Sequence, residues 1–375
     1  MDSVIPKAAE VDTVLATALR SERAEWPAGW SSNASAAVLE RIAYHGVAGL
    51  LSAKADPLSR WPDAVRAEIH EHALGQSMWE LRHKIVLGEL LERLSESGTV
   101  VLLKGTAVAY DLYDNPAVRS RGDTDLLVTN AEREAARKIL TESGFVRDNE
   151  DHDLPEALRS QEIWTLRSDD GTNHSIDLHW QPLNAPALEQ HLSFGEMAAG
   201  ALPLRRLCSV ARAPSRSMML LHACLHRGLH DCAPYFVGSR TYFGGNRLIW
   251  LYDLLLLGRT MSDLDWRFFC RMAVDKRVAD VCLDGLNAAE IRLGPFCPSF
   301  MKEELGSAVS GTYFRSGQFG RALQDVFAVP GLQRKWQYLW ARSLPTAEFM
   351  RAKYPEMASR ALPILYARRL VELVR

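Results

Sequence analysis

Residues 99–128 read TVVLLKGTAVAYDLYDNPAVRSRGDTDLLV. The apolar run Val100–Leu103 has the look of a buried strand, and it ends in Lys104-Gly105. Thr106–Tyr113 reads as a short helix. A loop carrying Arg119 and Arg121 follows, and Asp123-Thr124-Asp125 then runs straight into Leu126-Leu127-Val128. Side chains alternate along a strand, so carboxylates two residues apart share a face. Two carboxylates at one edge of a buried sheet repel unless a cation lies between them. Mg²⁺ suits such a place, because it takes hard oxygen ligands and keeps positions open for substrate phosphates. Alone, an Asp-x-Asp is a weak signal: a solvated acidic turn ahead of a strand gives the same letters.

A second stretch adds to it. Residues 161–180 read QEIWTLRSDDGTNHSIDLHW. Glu162–Arg167 and His174–Trp180 are strand-like, and the turn cluster Asp169-Asp170-Gly171-Thr172-Asn173 between them predicts a hairpin. Its second strand carries Asp177 and His179, again on one face. If that strand lies beside Asp123 and Asp125, three carboxylates converge, the arrangement a two-metal phosphoryl or nucleotidyl transfer site requires.

The combined pattern is Leu-Lys-Gly at 103–105, Arg-x-x-Gly-Asp-x-Asp-Leu-Leu-Val at 119–128 and Ile-Asp-Leu-His-Trp at 176–180. It resembles a large bacterial family of uncharacterised nucleotidyltransferases, within the polymerase β-like superfamily. The likeness continues through Leu220–His226, Arg247–Asp253 and Leu264–Trp266, and reaches Tyr354-Pro355 and Leu365–Arg369, so it spans roughly residue 35 onward. The resemblance implies an α+β fold with a small mixed sheet flanked by helices. It implies a nucleoside triphosphate, ATP by expectation, as substrate and Mg²⁺ or Mn²⁺ as cofactor. Asp123, Asp125 and Asp177 would be the metal-holding catalytic carboxylates. Lys104, Gly105, Arg119 and Gly122 would meet the nucleotide. The wider superfamily carries Gly-Ser or Gly-Gly shortly before its Asp-x-Asp, whereas here seventeen residues separate Gly105 from Asp123. Lys104 would then supply as charge what the serine supplies as a hydrogen bond, and Gly105 would let the backbone approach a phosphate.

Other residues have two readings each. Arg119 either faces a phosphate with its planar fork of donors or is a surface arginine paired with Asp111 or Asp114. Arg121 reads as solvent-facing. His179 either borders the metal site or bonds a core carbonyl. His222, His226 and His230 recur at i, i+4 and i+8 of a helix, which invites zinc. Zinc needs three or four convergent ligands, and Cys224 points away from that face, so histidines lining a substrate pocket, His222 and His226 foremost, are the preferred reading. Asp253 lies in the apolar run Leu248–Leu257 and needs a partner, with Arg247 or a histidine of the preceding helix as candidates. Residues 351–375 hold six Lys/Arg against two Glu. Such a helix either sits on a membrane or acidic partner or is an ordinary terminal helix.

The chain has 375 residues, 47% hydrophobic and 24% charged, with net charge −2. That suffices for a large core and lacks the basic excess of a general nucleic-acid binder. Six cysteines without CxxC spacing read as reduced thiols of a cytoplasmic protein. The N-terminus lacks a secretory apolar segment, and Leu248–Leu257 is too short to span a membrane. Three regions are expected: a helical part at 1–97, with 1–35 weakly patterned and prone to fray, a nucleotidyltransferase α/β core at 98–182, and a mainly helical part at 183–375. The function expected is nucleotidyl transfer to an unidentified small molecule, peptide or protein. Kinase-like phosphoryl transfer on the same site, or a non-catalytic nucleotide- or partner-binding module, stand as alternatives.

Overall fold

The computed structural model describes residues 6–374 apart from 21–23, 31–33, 55–57, 149–153, 232–234, 238–239, 243, 346 and 355–356. The fold is α+β. Its centre is a five-stranded mixed sheet made of β1 (Val101–Leu102), β2 (Asp123–Leu127), β3 (Val146–Arg147), β4 (Gln161–Arg167) and β5 (Asn173–His179), in the spatial order β1-β2-β5-β4-β3. β4 and β5 form the expected antiparallel hairpin, and β5 lies parallel to β2. A parallel pair needs a long crossover. Here the crossover runs through α6 (Arg133–Glu142), β3 and β4. The sequence offers Asn130 as the N-cap of this helix and Gly144 as its stop. Gly144, with φ +84°, does end α6. Asn130 does not cap it; Thr129 and Glu132 exchange side-chain and backbone hydrogen bonds of 3.0 and 3.2 Å, and α6 begins after them.

α4 (Asp63–Ser95) contains the long Pro-free stretch Glu68–Leu94, and it crosses one face of the sheet. There it donates from Trp79 Nε1 to Asn173 O at 2.9 Å and meets Thr124 through His83. α5 (Lys104–Leu112) leads off from β1. The opposite sheet face looks toward the C-terminal helices. These are α8 (Arg216–His230), α9 (Leu248–Thr260), α10 (Asp263–Asp275), α11 (Ala279–Leu293), α12 (Ser299–Ser307), α13 (Gln318–Ala328), α14 (Leu332–Ser343), α15 (Ala347–Lys353) and α16 (Leu362–Val374). Before them come α7 (Phe194–Ala198) and the short strands β6 (Leu202–Pro203) and β7 (Arg212–Ala213), the latter where Pro203 and Pro214 bracket a strand-like segment. A further hairpin, β8 (Tyr235–Val237) and β9 (Arg240–Tyr242), lies in the Gly- and aromatic-rich loop, part of which falls outside the described residues.

The N-terminal region departs from expectation. Its described residues are not frayed: α1 (Ala8–Leu19) buries Val11, Leu15, Ala18 and Leu19, a helical stripe made inconspicuous by its alanines. Asp12 fastens it, accepting from Arg41 Nε on α2 (Ala34–His45) and bonding His45 Nε2, each at 2.8 Å. Arg20 reaches Arg292 O of α11 at 2.9 Å. α3 (Ala48–Ala53) completes this end. One continuous cluster of buried apolar residues runs from Val11 to Tyr313, so the N-terminal helices, the sheet and the helices through α12 share a core, and Met350, Tyr354 and Leu365 form a second, small cluster at the C-terminal end. Among the described residues no helix is long and apolar enough to cross a membrane.

Candidate active site

The β2–β5 register pairs Asp125 with Asp177, Asp123 with Ser175, and Leu127 with His179. Paired residues of parallel strands present side chains on the same face, so the Asp125 and Asp177 carboxylates are neighbours. Ligand-capable atoms of Asp125, Asp177 and His179 all lie within 4.8 Å of one another. Ile176 and Leu178 point the other way and are fully buried, as alternation requires. Asp123 stands outside this tight group, exposed at the start of β2 where it lines the cleft.

The group is held from three sides. His179 is fully buried beneath Asp125, with Nε2 2.9 Å from Asp125 Oδ1, and it is absent from the cleft lining. It orients the carboxylate, the role a buried imidazole commonly plays behind a ligand. Lys104 ion-pairs with Asp125 Oδ1. It sits at the β1–α5 junction with φ +48°, a left-handed conformation that is uncommon for a side-chain-bearing residue. That turn aims the ammonium back across β2. Behind the sheet, Thr124 Oγ1 is hydrogen-bonded to His83 Nε2 at 2.8 Å and to Thr106 Oγ1 at 3.0 Å. His83 in turn meets His174 at 3.1 Å and stacks on Trp79 at 4.3 Å. This buried network fixes the residue between the two aspartates. Nothing in the spacing of His83, forty-one positions away, announces it.

The charges are strongly coupled. Burial opposes ionisation of Asp125, but Lys104 and the hydrogen bond from His179 outweigh it and hold its pKa well below the carboxylate range. Asp123 moves the other way: its side chain reaches open cleft, yet desolvation by the protein packed around it and the like charge of Asp125 raise its pKa. Burial works against the Lys104 ammonium, yet Asp125, Asp177 and Asp123 together raise its pKa. His179 is lowered by burial and by Lys104, so it is neutral and donates to Asp125.

Both arginines of the entry loop differ from expectation. Arg119 is buried, and pairs with neither Asp111 nor Asp114. Its guanidinium binds Asp253 on α9, with Nη2 2.6 Å from Oδ2, and donates to Ser120 O at 2.9 Å. Tyr113 OH donates to the same Asp253 at 2.7 Å. The partner of Asp253 is therefore Arg119 with Tyr113, and not Arg247 or a histidine. A carboxylate in an apolar helix reached across the fold for the nearest buried cation, a contact 134 residues long in sequence. A Cβ added to Gly105 would come within 2.9 Å of the Arg119 guanidinium, so the glycine makes room for this pair. Arg121 is also buried, not solvent-facing; it pairs with Glu80 of α4 at 2.5 Å, and Tyr110 donates to the same carboxylate. Removing one member of a buried pair strands the other. Asp253→Ala is expected to destabilise the fold by about 3–5 kcal/mol, read as a lowered urea midpoint; an unchanged midpoint would refute the strut.

The carboxylates open onto a cleft of about 1240 Å³. Lys104, Gly105, Arg119, Gly122, Asp123, Asp125 and Asp177 line it on the sheet side. Gly122 has no atom within 4 Å of its open side. His222, His226 and His230 of α8 line the opposite wall with Trp250. His222 Nε2 meets Pro182 O at 2.9 Å, and burial pushes its pKa down to about 4. His226 and His230 approach each other at 3.1 Å and flank Trp250, with ring centroids at 5.2 and 5.1 Å. The histidine stripe thus forms an aromatic wall, with His222 and His226 held neutral by burial. Among the described residues, the group with metal-binding geometry is the one on the sheet.

A profile of the family described as uncharacterised nucleotidyltransferase matches residues 31–294, from the start of α2 to the end of α11. The chain belongs to that family. Comparison with curated proteins returns no match. In this nucleotidyltransferase the family match contains the sheet, the carboxylates and the histidine wall, and it ends before α12.

Proposed function

We propose that this nucleotidyltransferase moves a nucleoside monophosphate from a nucleoside triphosphate, ATP by preference, onto an acceptor hydroxyl and releases pyrophosphate. The observation that carries the reading is the pairing of Asp125 with Asp177 on adjacent parallel strands, facing a cleft large enough for a nucleotide and an acceptor.

The donor set suits a hard divalent ion. Carboxylate oxygens from Asp125 and Asp177 converge, with Asp123 at the rim, and such oxygens are what Mg²⁺ or Mn²⁺ takes. When bound, the ion would neutralise phosphate charge and lower the pKa of the acceptor hydroxyl. Asp177, fixed on a central strand, accepts the proton as the acceptor oxygen bonds the α-phosphorus. The bond from the α-phosphorus to the bridging oxygen breaks, and pyrophosphate leaves. Lys104 both lines the cleft and holds Asp125, so its charge is placed to meet the triphosphate. Arg119 is committed to Asp253, so it buttresses the Lys104-Gly105 turn and adds positive potential. The wall of His222, His226 and Trp250 offers flat surfaces against which a base or an acceptor can stack. The slightly acidic chain argues against a nucleic-acid acceptor, and the free thiols of the described cysteines support a cytoplasmic site of action.

The test is isotopic. Enzyme, Mg²⁺, ATP and a panel of hydroxyl-bearing acceptors (small molecules, peptides and proteins) are incubated with label at the α- or the γ-phosphate. Label from the α-position should reach the acceptor while unlabelled γ-phosphate departs in pyrophosphate. Transfer of γ-label alone would establish phosphoryl transfer in its place.

A further inference from the structure

Helices α13 and α14 are amphipathic in the unusual sense. α13 turns its charges inward. Arg321 donates to Gly228 O at 2.6 Å and Phe314 O at 3.0 Å, while Asp325 accepts from the Ala187 amide at 3.1 Å and from Tyr313 OH at 3.2 Å. Its large apolar residues Phe319, Leu323 and Phe327, one helical turn apart, face out, with Phe319 62% and Phe327 67% exposed. α14 repeats the pattern. Tyr338 and Ala341 are its buried residues. Leu332, Trp336, Leu339 and Trp340 lie on the opposite side, and Leu332, Trp336 and Trp340 are 80%, 68% and 66% exposed. A monomeric soluble protein seldom leaves so many large apolar side chains together in water.

The stretch of sequence that follows Asp325 carries charge of one sign. No Asp or Glu occurs between Asp325 and Glu348, while Arg334, Lys335 and Arg342 do. Residues 326–375 carry nine Lys/Arg and three Asp/Glu, against 44 and 46 in the whole chain. The acidic balance of the protein therefore resides ahead of residue 326. Basic charge alone would suit any polyanion. Exposed tryptophan, leucine and phenylalanine flanked by cations are the chemistry of a helix lying in the interface of a bilayer.

We propose that the outward face of α13 and α14 is a docking surface for an anionic lipid bilayer. The side chains of Trp336, Trp340, Leu332 and Phe327 enter the headgroup–acyl boundary, and Lys335, which lies over the Phe327 ring, meets lipid phosphates. Phe319 and Leu323 of α13 and Leu339 of α14 also line the cleft, so docking brings the cleft rim to the membrane. The surface lies beyond the residues matched by the family profile. It does not depend on the reaction proposed above.

The experiment uses the full chain and vesicles of equal parts phosphatidylglycerol and phosphatidylcholine, with phosphatidylcholine vesicles as control. Co-sedimentation should occur with the anionic vesicles and weaken as salt is raised. Trp336→Gln with Trp340→Gln should cut the partition coefficient by about tenfold or more, since binding scales with buried apolar area. Lys335→Gln should cut it by about fivefold. All three side chains lie on the surface of α14, and circular dichroism checks that the fold is retained. No sedimentation, or equal sedimentation with neutral vesicles, overturns the proposal. So does a dimer in sedimentation velocity that the tryptophan variant dissolves in the absence of vesicle binding, because the face would then be covered by a second copy.

Discussion

On the proposed function, Asp125→Asn is expected to lower nucleotidyl transfer by about a thousandfold or more, since the charge it removes would stabilise the transferring phosphate through a metal by several kcal/mol. Asp125 is where every other element of the site meets. Asp177 stands beside it in register, His179 bonds it from below, and Lys104 pairs with it from the β1–α5 turn. Asparagine keeps the shape and removes the charge, so the buried Lys104 ammonium loses its main partner and the variant should also melt earlier. Asp123→Asn makes the contrast. The folded protein raises the pKa of Asp123, so at neutral pH its ionised form costs stability. Neutralising it should leave the melting temperature unchanged or higher, while Mg²⁺-dependent ATP binding weakens if Asp123 contributes to the metal. Simple relief of crowding at the strand edge, the expectation from sequence alone, would stabilise both variants. The structure separates them because Lys104 offsets one carboxylate more than the other. Rates at saturating Mg²⁺·ATP, with melting curves for each variant, decide the matter. Full turnover by Asp125→Asn would remove the site assignment.

Much of the core was legible because its signals are local. The hairpin turn at 168–172 fixes the alternation of β4 and β5, and strand alternation then commits Asp177 to one face and Ile176 to the other. The strand–turn–helix at Lys104 and the apolar run after Asp125 were readable for the same reason. What escaped the sequence is long-range. Arg119 and Arg121 sit in a polar loop, where an arginine is ordinarily exposed; they are buried because Asp253 of α9 and Glu80 of α4 arrive from elsewhere in the chain. Two residues that repeat every second position near a charged turn look like solvent contacts until the partners are placed. The inverted helices α13 and α14 show the limit from the other direction. Apolar periodicity finds the helix and its apolar face correctly, and assigns that face to the core. Only coordinates reveal that Arg321 and Asp325 took the inside. α1 escaped for a milder reason, since alanines carry little weight in an apolar pattern although they pack as well as larger residues.

The second large effect concerns acid. Urea midpoints are expected to fall steeply between pH 7 and pH 5, before most carboxylates titrate. Burial lowers the pKa of His45, His83, His179, His222 and His226 from the ordinary value near 6.5, to about 3 for His83 and about 4 for His222. A histidine whose folded pKa is depressed is neutral in the fold and protonates first in the unfolded chain. Its contribution is present above pH 6.5 and is lost as pH falls toward the folded value. Each unit of pH in that window removes about 1.4 kcal/mol per such histidine, so His83 and His222 together should account for about 4 kcal/mol by pH 5. The raised carboxyls Asp123, Glu189 and Asp325 act in the opposite sense as they take up protons, and they temper the loss at its acid end. His83 lies next to Arg121 and His174, both of which oppose its protonation, and its ring bonds Thr124 between the two site aspartates. Protonating it should therefore loosen β2 before the chain unfolds as a whole. His83→Gln keeps a polar partner for Thr124 and cannot take up a proton, so its midpoint should depend less on pH than that of the parent. A parent protein equally stable at pH 7 and pH 5, or a His83→Gln variant with an unchanged slope, would show that these imidazoles are not held neutral by the fold.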